Sequence, residues 1–169
     1  VDAIHAARRL NMQLRIAAAI DPSEEEYFMK EVKPLIDGKL VTFEGEVDKA
    51  KKVYYYKHAL ATLFPIEWEE PFGLVMAESM ACGTPVVAYN HGSVPEIIKD
   101  GKTGFVVNSK NGPVGDYIIK EVGIEGLIEG VKGIWEINRA DCRAHVMNNF
   151  TMEQMVNGYE AVYKKILGV

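Results

Sequence analysis

Short apolar segments separated by stretches of helical periodicity constrain this chain more than any other feature. Leu14 to Ile20 (LRIAAAI), Leu40 to Phe43, Ala59 to Pro65 (ALATLFP), Pro85 to Tyr89 and Phe105 to Val107 are apolar in runs, not alternately. A strand with one wet face alternates in polarity, whereas one covered on both faces does not. Between these runs Ala3, Ile4, Ala7 and Leu10 recur at helical spacing. Pro22 and Ser23 to Glu26 suit a helix start, with Tyr27, Phe28, Val32, Leu35 and Ile36 as its inner face. Further helices are expected over Asp48 to Lys57, over Phe72 to Ala81 with Gly83 as its stop, over Val94 to Lys99, and from Asp116 onward. Glycines at 123, 126, 130 and 133 weaken that last pattern. Thr151 and Gln154 resemble a capping box ahead of a final helix with Met152, Met155, Val156, Tyr159, Val162, Tyr163 and Ile166 on its apolar face. Strand–helix alternation of this kind predicts one α/β domain: a Rossmann-like, doubly wound parallel sheet with helices on both faces.

At 169 residues the chain can bury a core. Its net charge of -5 and lack of a basic cluster argue against nucleic acid as a partner. Cys82 and Cys142 are too few for a disulfide framework, so reduced thiols and a cytoplasmic setting are expected. The apolar runs are short for a membrane span, and Val1 opens directly on a helical pattern without a signal peptide. Without an initiator Met, the chain is expected to be a piece of a longer protein.

In open α/β sheets ligands bind beyond the carboxyl ends of the strands. Four loops therefore matter: Asp21-Pro22, Glu44-Gly45-Glu46, Pro65 to Gly73, and Asn90 to Val94. The loop PIEWEEPFG runs into a helix whose N-terminal N–H groups suit phosphate, and Gly73 permits close approach to the backbone. Glu70 precedes that helix and Glu78 lies within it. Carboxylates accept well from paired sugar hydroxyls. Spacing alone leaves two readings: a solvated helix face, or a site for a ligand with anionic and polyhydroxylated parts, such as a sugar nucleotide. Elsewhere, Cys82 reads as packing, His91 as an exposed loop histidine, Glu96 as a helix-start charge, His58 and His145 as structural or exposed, and Tyr54 to Tyr56 as helix packing.

Three further segments join this loop in carrying a resemblance. E-P-F-G-L-V-M-A-E-S-M-A-C-G-T-P-V-V-A resembles the E-x7-E region of group 1 (family 4) retaining glycosyltransferases of the GT-B fold. H-G-S-V-P-E-I-I-K-D-G-K-T-G-F-V-V is similar to that family's G-G-x-P-E-I-V-x-D-G-x-T-G-x-L-V. F-E-G-E-V resembles its F-x-G-x-V, and F-T-M-E-Q-M-V-N-G-Y-E-A-V-Y its closing helix. The matches fall in the family's order across nearly the whole chain.

The resemblance implies the carboxy-terminal half of a two-domain GT-B enzyme, the half that holds the nucleotide-sugar donor. Glu70 would be the catalytic glutamate, touching the donor sugar's hydroxyls and stabilising positive charge at the anomeric centre. Glu78 would accept from the ribose hydroxyls. Phe72, Gly73 and Leu74 would present amides to sugar and diphosphate, and Glu44, Gly45 and their neighbours to Val47 would lie near the nucleobase. The full enzyme would move a hexosyl group from a nucleoside diphosphate sugar to an acceptor hydroxyl, with no cofactor or tightly bound metal. Two parts of the family pattern are missing: the first strand with its R-x4-K-type pair, for which Arg8 and Arg9 are misplaced, and the amino-terminal acceptor domain. The chain alone is therefore expected to be inactive, and peripheral membrane association through the missing domain stays open. A nucleotide-sugar epimerase and a non-catalytic nucleotide-binding module of the same fold are the alternatives.

Overall fold

A computed structural model describes residues 1–168. The chain alternates helices and strands from its start: α1 (Asp2–Leu10), β1 (Leu14–Ala17), α2 (Glu25–Tyr27), β2 (Val41–Gly45), α3 (Lys49–His58) and β3 (Thr62–Phe64). It continues through α4 (Leu74–Ala81), β4 (Val86–Tyr89), α5 (Val94–Ile97), β5 (Gly104–Val107), α6 (Ile124–Gly133), α7 (Arg139–Asn149) and α8 (Met152–Leu167). Every ladder is parallel, as the unalternating strands imply. The strands bond as two groups, β1-β2 and β3-β4-β5, in place of one continuous sheet.

β4 and β5 are buried along their whole length. Met76 and Met80 of α4 and Leu127 and Val131 of α6 join them in the core. β1 behaves differently: Leu14 and Ile16 are half-buried while Arg15 and Ala17 are exposed, so the β1-β2 pair is not covered on both faces as its apolar sequence suggests. Between β1 and β3 lies a cavity of about 1310 Å³, lined by Leu14 to Ile20 on one side and Leu60 to Leu63 on the other.

Several expected boundaries shift for local reasons. The helix expected from Pro22 is broken into a 3-10 turn (Pro22–Glu24), α2, a π-helical stretch (Phe28–Val32) and a second 3-10 turn (Lys33–Leu35). Pro34 cannot donate to the helical ladder, so a regular helix cannot run through it. The helical pattern from Asp116 becomes regular only at Ile124. Thr151 does cap α8, its side chain accepting from the Gln154 N–H. The apolar face of α8 is solvent-facing: Met155, Val156, Tyr159, Val162, Tyr163 and Ile166 are all exposed.

The α6 glycines have a packing reason. Gly126 and Gly130 are four apart and share one face of the helix. A Cβ on Gly126 would lie 2.3 Å from Val107 Cγ1 and 2.5 Å from the Glu121 carbonyl oxygen, and one on Gly130 2.6 Å from Val87 Cγ1. The α6 backbone thus rests directly on β4 and β5. Alanine at a helix interior gains about 1 kcal/mol over glycine, whereas forcing a methyl into a filled site costs about 1–3 kcal/mol. Gly126→Ala is therefore expected to lower the urea midpoint, the backbone oxygen leaving no room to yield. Gly158, in α8, has nothing within 4 Å of its would-be Cβ. There Ala should only firm the local helix, read as slower amide exchange across α8.

Candidate functional site

The carboxyl ends of β3 and β4 carry the two loops that build the site. The first, 65–73, leads into α4; the second, 90–93, leads into α5. Gly73 is the N-cap of α4 with φ +79°, a left-handed conformation that glycine takes without a Cβ penalty. Glu70 Oε1 accepts the Gly73 N–H at 3.0 Å, and Glu70 Oε2 accepts the Trp68 indole N–H at 3.1 Å. The half-buried carboxylate is thus held by one donor on each oxygen, each oxygen keeping a lone pair for a further donor. Residues after Gly73 open α4, where N–H groups of a first turn lack intrahelical acceptors and carry partial positive charge.

Sequence placed Phe72 at the start of the helix; it belongs to the loop, and α4 begins at Leu74. The Phe72 ring packs edge-on against Phe150 with centroids 5.9 Å apart. The Phe72 carbonyl accepts the Ser93 hydroxyl at 2.7 Å. Leu74 is exposed.

Glu78 sits on the exposed side of α4 and pairs with Lys52 Nζ at 2.7 Å. The adjacent Lys51 of α3 binds Glu44 Oε2 at 3.0 Å, where Tyr55 also donates its hydroxyl at 2.8 Å, while Arg15 reaches Glu44 Oε1 at 3.2 Å. The Lys51 ammonium, then the Tyr55 hydroxyl, hold the Glu44 carboxyl below its ordinary range. Two neighbouring lysines of α3 therefore tie the end of β2 to the middle of α4, bringing Glu44, Gly45 and Glu78 to one edge. Glu78 lines the cavity between β1 and β3, and Glu70, Phe72, Gly73 and Leu74 do not. Beside it the Tyr56 hydroxyl is pushed up to about 12, by burial first and then by the Glu78 charge.

The second loop holds a residue that sequence reasoning misplaced. His91, expected to be exposed, is buried, with Nε2 2.9 Å from Ser109 Oγ and Nδ1 3.4 Å from Glu69 Oε1. Its available signal was position: it lies two residues past the end of the fully buried β4. Lys52 was likewise not singled out, being one of several lysines on an exposed helix. Cys82 falls at the C-cap of α4, as a packing residue would. Among the described residues no group of three or more His, Cys, Asp or Glu is arranged to hold a metal ion, and no helix is long and apolar enough to cross a membrane.

Residues 1–113 match the family described as glycosyl transferases group 1. A D-inositol 3-phosphate glycosyltransferase of Thermobifida fusca is 30% identical over 128 residues, covering 76% of this chain and 28% of the relative. Among solved structures, sucrose-phosphate synthase of Thermosynechococcus elongatus superimposes with a TM-score of 0.75 at 25% identity, over 99% of this chain and 42% of that one. Anabaena Alr3699/HepE in complex with UDP-glucose does so with a TM-score of 0.73 at 18% identity, over 99% of this chain and 44% of that one. The chain thus spans just over a quarter of the curated relative's length and under half of either solved chain.

Proposed function

The chain belongs to the glycosyl transferases group 1, and from that premise we propose that it is the carboxy-terminal, donor-binding half of a retaining glycosyltransferase of the GT-B fold. The observation that carries this reading is the oriented Glu70 carboxylate at the N-terminus of α4, with Glu78 farther along the same helix. Glu70 serves as the catalytic glutamate: it accepts from donor-sugar hydroxyls and stabilises positive charge as the anomeric bond to phosphate lengthens. Phe72, Gly73 and Leu74 form the backbone that faces sugar and diphosphate: the Gly73 N–H holds Glu70, and the amides from Leu74 onward open α4 toward the departing diphosphate, where aligned dipoles act without reorganising. Glu78 accepts from the ribose hydroxyls, and Glu44 and Gly45 border the nucleobase. A nucleoside diphosphate sugar is the donor, consistent with the UDP-glucose in the Anabaena neighbour. Helix amides and side chains carry the diphosphate charge in this reading, with no resident metal or cofactor assigned a step.

The same reading accounts for the divided sheet. A strand ahead of α1 runs parallel between β1 and β3, in the cavity that both strands line. α1 starts at the carboxyl edge, where Asp2 accepts the hydroxyl of Tyr89 at the end of β4 at 2.6 Å. A strand leading into α1 from that edge completes a right-handed β-α-β crossover. The acceptor half lies elsewhere in the polypeptide, which works in the cytoplasm and reaches membranes, where it does, through that half. The present chain binds donor but does not turn over, since transfer needs both substrates oriented in one cleft.

Analysis of the product made by the complete polypeptide tests the reaction. Hexosyl transfer with retained anomeric configuration, read by NMR coupling of the anomeric proton, is expected. Inversion, or epimerised nucleotide sugar without transfer, would remove the retaining-transferase reading.

A further inference from the structure

Ser109, His91 and Glu69 form a hydrogen-bonded row of the kind that activates a nucleophile, yet the serine is sealed in. Ser109 is 3% exposed, and a Cβ on Gly112 would lie 2.4 Å from its hydroxyl and 2.5 Å from His91 Nε2. No substrate reaches that hydroxyl. The other end of the row leads instead to the site. Glu69 Oε2 accepts the Gly92 N–H at 2.7 Å, while its Oε1 faces His91 Nδ1. The next residue is Glu70, whose carbonyl accepts the Ser93 N–H at 2.9 Å.

We propose that Glu69 and His91 are a positioning pair that fixes the Glu70 carboxylate by locking the 65–73 loop onto the 90–93 loop. The role assigned to Glu70 rests on the donor-binding reading; the lock itself does not. A carboxylate only accepts, so His91 Nδ1 carries the ring proton toward Glu69 and Nε2 accepts from the Ser109 hydroxyl. Both ends are therefore specified: a buried serine orients the imidazole, the imidazole and the Gly92 amide hold both oxygens of Glu69, and Glu69 fixes the backbone that aims Glu70. The side chain of Glu69 is 73% exposed and reaches across the loops from outside, so removing it opens no core cavity.

Two readouts test the lock without any ligand. Nitrogen–proton NMR of the His91 ring should show the Nδ1–H tautomer in the wild type. In Glu69→Gln the Gly92 N–H claims the amide oxygen, the NH2 faces Nδ1, and the ring should switch to Nε2–H. In Glu69→Ala, amide exchange at Gly73 and Gly92 should rise about tenfold, the effect of losing a hydrogen bond to a charged group. Val87 and Ala88 in β4 should stay unchanged. An Nε2–H wild type, or unaltered exchange at Gly73, overturns the proposal. Equal acceleration in β4 overturns it too, since Glu69 would then serve global stability.

A third readout links the lock to the chemistry. With UDP and UDP-glucose as probes, Glu69→Ala should lose the preference for UDP-glucose together with Glu70→Ala and keep its affinity for UDP. A retained preference in Glu69→Ala alone counts against positioning. A wild type that binds neither probe counts against the donor reading, and the exchange data still decide the lock.

Discussion

Under the proposed function, Glu70→Gln in a polypeptide that carries both this domain and an acceptor half is expected to lower kcat about 10²–10³-fold, the loss seen when one oriented charge-stabilising group is removed. Affinity for the nucleoside diphosphate should move by less than about twofold, because the interaction lost is realised mainly in the transition state. The substitution is chosen for what it keeps. Glutamine retains an oxygen that can accept the Gly73 N–H, so the start of α4 survives. It removes the negative charge that the proposed function sets opposite the anomeric centre. Glutamine also keeps an oxygen able to accept a sugar hydroxyl, which alanine lacks, so a fall in kcat with KM nearly constant is the expected pattern in steady-state assays. A rise in KM alone would make Glu70 a binding group.

Gly92→Ala is expected to disconnect the two loops. Gly92 has φ +50°, and a Cβ there would lie 2.3 Å from the Glu70 carbonyl oxygen and 2.5 Å from the Glu70 nitrogen. Both are backbone atoms, so no rotamer change relieves the clash. The loops must separate, losing the Ser93–Glu70 and Gly92–Glu69 hydrogen bonds together. The combined strain and lost contacts should lower stability by about 3 kcal/mol, near the upper end for a single substitution. Urea unfolding measures that loss. The core of β4, β5 and α6 is not touched, so a cooperative transition should remain while binding of UDP-glucose disappears. An unchanged midpoint would mean that the loops are not held in contact.

Much of this was legible in the sequence because two physical signals are local. Unalternating strands such as Val86 to Tyr89 report burial on both faces, and the residues up to Ala81 report a helix closed by Gly83, although it begins at Leu74 and not at Phe72. Loop position after parallel strands singled out the segment holding Glu70, while the roles given to Glu70 and Glu78 came from the family resemblance; alone, their spacing fitted a solvated helix face equally well. What sequence did not reveal depends on neighbours far along the chain. Leu14 and Ile16 look like core strand residues, but the covering layer at β1 is interrupted by a cavity. His91 looked exposed because its loop is polar, and its burial comes from the segment around Ser109 and Gly112 folding over it. The α6 glycines weaken helix propensity locally and are explained only by contact with Val87 and Val107. The helical face of α8 was read correctly as apolar, yet nothing in its periodicity tells that the face points to solvent.

Titration of this chain with UDP, GDP and ADP, in the wild type and in Glu78→Ala, tests the central claim most directly. Glu78 bonds Lys52, so its removal also frees a cation at the same edge. If phosphate charge alone drove binding, the variant would bind as well or better. Recognition of ribose hydroxyls by the carboxylate predicts the opposite: saturable binding of at least one nucleotide by the wild type, weakened about ten- to a hundredfold in Glu78→Ala, the range for one or two hydrogen bonds to a charged acceptor. Equal affinity in the two proteins, or no binding of any of the three nucleotides, would contradict the account.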